Sequence, residues 1–125
     1  WVSYNSDMSA FAPNAFLTAP VWDWGPRYVE IIEAAKAGTY KPGAYWGSMA
    51  DGVVDIADIA ADVDAGVKSA VADKKAAIIA GNFHVFSGPI NDQDGYLVVA
   101  AGETMDDGSM LGMDFFVEGV IGSTG

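Results

Sequence analysis

The segment from Asp64 to Ala80 constrains the fold most. It is rich in alanine, the strongest helix former, and Val67, Ala70, Val71, Lys74, Ala77 and Ile78 recur at helical spacing. Gly81 follows where a left-handed cap belongs. A helix of this length must lay one face on something, so the flanking segments decide the fold class.

Those segments read as short strands alternating with helix. Pro26 to Ala37 predicts a second helix, with Tyr28, Ile31, Ile32 and Ala35 on one stripe and Gly38 as its stop. Trp1 to Tyr4 is aromatic and β-branched, and Asn5-Ser6-Asp7 ends it with turn formers. Ala15 to Ala19 is a second apolar run, and Gly52 to Ala57 alternates as a strand does. Phe83 to Phe86 and Tyr96 to Val99 flank the loop Asn91 to Gly95 and predict a hairpin. Thr104 to Met113 reads as a short helix or turn, and Asp114 to Gly122 as a closing strand. The expectation is an α/β layer architecture with a partly parallel sheet, fitted into one domain by a length of 125 residues.

Charge and composition remove whole classes of function. A formal net charge of -11 repels phosphate backbones, so no nucleic-acid partner is expected. The absence of cysteine excludes thiol catalysis, disulfides and thiolate-bound zinc. No apolar run approaches a membrane span. The chain begins at Trp1 inside a strand-like stretch, which reads as a piece of something longer.

No catalytic set emerges. His84 stands without a neighbouring nucleophile or second histidine and reads as structural. Asp92 and Asp94 fit a solvated hairpin better than a calcium loop, since the expected closing ligand is misplaced. Asp106-Asp107 reads as a helix start, and the glycines at 43, 47 and 52 are spaced wrongly for a phosphate loop. The expectation is a protein that is not an enzyme and uses no cofactor or metal. Aromatic residues beside turns stand out instead: Trp22 and Trp24 before a helix, and Tyr45-Trp46-Gly47 before a strand. Such residues either plug a core or stack on a flat heterocycle at a sheet edge. Asn5 and Asp7 are expected at the same edge as hydrogen-bonding groups.

The run Tyr4-Asn5-Ser6-Asp7, then Leu17-Thr18, then Tyr45-Trp46-Gly47-Ser48-Met49-Ala50-Asp51-Gly52-Val53 resembles the C-terminal part of the basic membrane protein family of substrate-binding proteins. The likeness continues through Ala76 to Gly81, Phe86-Ser87-Gly88-Pro89-Ile90 and Phe116 to Val120. The resemblance implies a three-layer, Rossmann-like type I periplasmic-binding-protein lobe with hinge-crossing strands. On it, residues 1–125 supply part of the second lobe and the last hinge crossing, and the first lobe lies outside the chain. It further implies a periplasmic or cell-surface solute-binding component of an ABC importer, a purine nucleobase or nucleoside as ligand, transporter permease subunits as partners, and membrane association through an upstream lipid anchor.

Two departures bear on the ligand. The family commonly has aspartate where this chain has Asn5, and lysine where it has Met49. A thioether in place of an ammonium removes a strong donor, which favours a free base such as adenine over a nucleoside. The expected ligand contacts are Asp7, Asn5, Trp22, Trp24, Trp46 and Met49. The alternatives are the effector-binding domain of a transcription regulator of the same architecture, and a nucleoside-processing enzyme.

Overall fold

In the computed structural model, which describes residues 1–124, the elements run β1 (Pro20–Trp22), α1 (Gly25–Lys36), β2 (Val54–Ile56), α2 (Ala65–Ile79), β3 (Ile90–Asn91), β4 (Leu97–Val99) and α3 (Asp107–Leu111). Both long helices stop where their glycines stand. Gly38 takes φ 69° and Gly81 φ 70°. Each closes a Schellman cap, Gly38 N–H to Ala35 and Thr39 N–H to Ala34, Gly81 N–H to Ile78 and Asn82 N–H to Ala77. At the other end of α2 the Asp64 carboxylate accepts the N–H groups of Gly66 and Val67.

Where the length suggests one domain, the residues gather into two compact units, Trp1–Asn82 and a second from Phe83 onward. In the first, β1 and β2 pair antiparallel with Trp22 opposite Val54. The partly parallel sheet reduces to one parallel bridge, Val2 with Thr18, so neither Trp1–Tyr4 nor Ala15–Ala19 forms a full strand. The antiparallel sense has a visible cause. The loop leaving α1 at Ala37 runs back to place Tyr45 beside Trp24 and Arg27 at the start of that helix, so β2 begins at the end where β1 finished. Phe16, Ala19 and Val53 form the small core here, with the Trp1 ring edge-on to Phe16.

In the second unit β3 and β4 form an antiparallel hairpin. The Tyr96–Val99 side of the expected hairpin is right and the Phe83–Phe86 side is not. The Asp92 carboxylate accepts the N–H groups of Asp94 and Tyr96, which fixes a short loop whose pairing strand must directly precede it. That strand is Ile90–Asn91. The expected closing strand lies against the hairpin without forming a regular ladder: Val117 bridges Asp92, Gln93 N–H donates to the Phe116 carbonyl and Glu118 N–H to that of Asn91, and Gly119 at φ 89° then turns the chain out of extended conformation. Asp106 caps α3 by accepting the Ser109 N–H, the helix-starting role expected of the Asp106-Asp107 pair. His84 is exposed. The fold is a mixture of helices and small sheets compatible with the α/β class.

Much apolar surface has no cover. Neither α1 nor α2 buries any residue, and Tyr28, Val29 and Ile32 of α1 are each more than half exposed. Of the stripe expected on α1, Tyr28, Ile32 and Ala35 are exposed and Ile31 alone is half-buried; the half-buried face runs through Arg27, Ile31 and Ala34. Among the described residues, no helix is long and apolar enough to cross a membrane.

Candidate ligand-binding site

The aromatic residues singled out in the sequence converge. Trp22 ends β1 and Trp24 caps α1. Residues two apart in extended chain face the same side, and the two indoles stack with centroids 6.2 Å apart and planes 14° from parallel. Tyr45 meets Trp24 edge-on at 6.3 Å. Together with Trp46, Gly47 and Val54 they line a cavity of about 360 Å³, a size suited to a small ligand.

The loop that carries Tyr45 and Trp46 is fixed by short-range chemistry. The Asp51 carboxylate accepts both the N–H and the hydroxyl of Ser48, and these bonds pull its pKa below the ordinary carboxylate range. Gly52 at φ 75° completes the turn. Gly47 is required on packing grounds, since a Cβ there would lie 2.8 Å from the Tyr45 ring and 2.9 Å from Val53. The segment Tyr45 to Val53 thus includes a turn that sets the Tyr45 ring against Trp24 and places Trp46 on the wall of the same cavity.

The remaining expected contacts lie elsewhere. Asp7 lines a separate cavity of about 650 Å³ with Ser9, Asn14, Phe16, Asp58 and Asp62. Its carboxylate accepts the Ser9 N–H, and that bond lowers its pKa. Asn5 sits in a left-handed turn at φ 57°, and Met49 is half-buried in the Ser48–Gly52 turn. Neither Asn5 nor Met49 lines the aromatic cavity. The structure therefore brings Trp22, Trp24 and Trp46 together and leaves Asn5, Asp7 and Met49 apart from them. A third cavity, of about 410 Å³ in the second unit, is lined by Glu103, Asp106 and Asp114 among others.

Chemistry separates these cavities. The two larger ones present carboxylates, whose burial beneath a neutral ligand is costly. The aromatic cavity has no charged side chain in its lining, so covering its flat rings removes apolar surface from water with little polar loss. Among the described residues, no group of three or more His, Cys, Asp or Glu side chains could hold a metal ion. Sequence reasoning left Val54 and Arg27 out of the site. The pairing of Val54 with Trp22 was hidden by the expectation of a parallel sheet, and Arg27 reads in sequence as a solvated helix residue.

No family model matches the chain. It is 42% identical over 115 residues to a purine-binding protein of Brucella abortus, an alignment covering 92% of this chain and 33% of that protein. It is 31% identical over 123 residues to a putative ABC transporter glucose-binding protein of Haloferax volcanii, covering 98% of this chain and 29% of that one. The chain spans about a third of the length of these curated relatives. Both are named for binding a small molecule, and neither is named as an enzyme.

Proposed function

We propose that this chain forms the C-terminal part of an extracytoplasmic solute-binding component of an ABC importer, and that it offers the Trp22–Trp24–Tyr45–Trp46 cavity to a flat purine base of the adenine type. The carrying observation is the convergence of four rings from two distant segments on one uncharged cavity. Stacking on an aromatic side chain contributes about 1–3 kcal/mol per base, and the other rings of the cavity wall add apolar cover at the edges of the heterocycle.

The relatives' names support solute binding and point to two ligand classes, purine and glucose. The lining favours the first. A hexose needs several directional partners for its hydroxyls, and no carboxylate or amide side chain lines the aromatic cavity. The same argument favours a base over a nucleoside, whose ribose would lie unpaired there, and it replaces the argument from Met49, which does not reach the cavity. A type I periplasmic-binding fold, with permease subunits as partners and a lipid anchor outside the chain, is the architecture this reading calls for. The uncovered apolar faces of α1 and α2 suit helices that pack within a larger lobe.

Isothermal titration with adenine, adenosine, guanosine, inosine and glucose tests the proposal. Adenine should bind more tightly than any nucleoside and glucose weakly. A nucleoside binding more tightly than its base, or glucose binding best, overturns it.

A further inference from the structure

Arg27 lies one turn into α1 with its guanidinium carbon 4.2 Å from the centroid of the Tyr45 ring. Its Nη1 pairs with Glu30 Oε2 at 2.6 Å, one turn along the same helix, and its Nε is buried with no hydrogen-bond partner. A surface arginine ordinarily keeps all its donors wet. Here a buried donor goes unsatisfied while the planar cation lies against a ring, which indicates that the ring contact fixes its position. Tyr45 lines the aromatic cavity and Arg27 does not, so Arg27 contacts Tyr45 without reaching the ligand space.

We propose that Arg27 is a positioning residue for the aromatic cavity: held by Glu30, it clamps Tyr45 edge-on to Trp24 and so presets the cavity before ligand enters. Two contacts and one close approach fix the ring. Arg27 lies over it, Trp24 meets it edge-on, and the absent side chain of Gly47 leaves room beside it, where a Cβ would come within 2.8 Å. A ring already fixed loses less freedom on binding than a mobile one, and that saving appears as affinity. The inference rests on the reading that a flat heterocycle occupies this cavity.

The test titrates adenine into the full chain, followed by tryptophan emission, for the wild type and for Arg27→Met, Arg27→Lys, Glu30→Gln and Trp46→Ala. Arg27→Met should weaken binding roughly five-fold, in line with a partly desolvated cation–π contact. Arg27→Lys should lie between it and the wild type, because an ammonium keeps the charge but not the planar stack. Should Arg27→Met fail to fold by circular dichroism, Arg27→Lys carries the test. A second readout needs no ligand: the Arg27 Nε–H resonance should carry a ring-current shift that Tyr45→Leu abolishes and Trp46→Ala retains. Adenine affinity unchanged in both Arg27 variants while Trp46→Ala loses binding overturns the positioning role and leaves the cavity reading intact, as does an Nε–H resonance that Tyr45→Leu does not move. A wild-type chain that binds no purine overturns both.

Discussion

Trp22 and Val54 sit opposite each other in the β1–β2 ladder, and both line the aromatic cavity. The sheet register therefore helps to set the site: the pairing that brings β2 against β1 also sets Val54 beside the indole of Trp22. Perturbing the loop that delivers β2 should therefore disturb binding.

Gly47→Ala makes that case. The added methyl meets Tyr45 at 2.8 Å and Val53, a buried core residue, at 2.9 Å. Overpacking of this kind costs about 1–3 kcal/mol. Urea unfolding should show a loss in that range, with adenine affinity reduced at least several-fold because Tyr45 moves.

Gly88→Ala should destabilise the second unit severely. A Cβ at this position would lie 1.9 Å from the Ala100 carbonyl oxygen, where Gly88 N–H also bonds Glu103, and backbone on both sides cannot give way. A loss of about 3 kcal/mol or more is expected. Amide hydrogen exchange should show protection lost around Leu97–Val99, and unchanged protection there would contradict the packing.

Asp64→Ala removes the side chain that accepts two N–H groups at the start of α2. Caps of this kind contribute about 1 kcal/mol. Thermal unfolding should register that loss, and Asp64→Asn should recover most of it.

Acid should loosen the first unit. The Asp55 carboxyl is held below its ordinary pKa by the ion pair with Lys75 and by the Ile56 N–H, and the Asp51 carboxyl by Ser48. A folded-state pKa below the unfolded one means that the stabilisation is complete above the ordinary carboxylate range and is lost as pH falls through the depressed values. Circular dichroism against pH should show the wild type losing structure on the acid side, with Asp55→Asn less stable near neutrality and less sensitive to acid. Both carboxylates are solvated, so the effect should shrink in high salt.

The helices were legible because their signals are local: Asp64 and Gly81, Pro26 and Gly38 each act within a turn of the element they bound. The aromatic set was legible as well, since Trp22, Trp24, Tyr45 and Trp46 stand beside turns. The pairing of strands was not. Whether β2 returns parallel or antiparallel depends on where the loop from Ala37 to Val53 travels, which no short window of sequence encodes. The same gap separated Asp7 from the tryptophans, because their placement at one sheet edge assumed a parallel sheet. Arg27 was hidden for a further reason, as the ring it covers lies 18 positions away in the chain.

Occupancy of the aromatic cavity is tested most directly by intermolecular nuclear Overhauser effects from adenine H2 and H8 in the bound state. The account predicts contacts to the indoles of Trp22 and Trp46 and to the Tyr45 ring. Contacts instead to Ser9, Asn14 and Phe16, which line the Asp7 cavity, would contradict it.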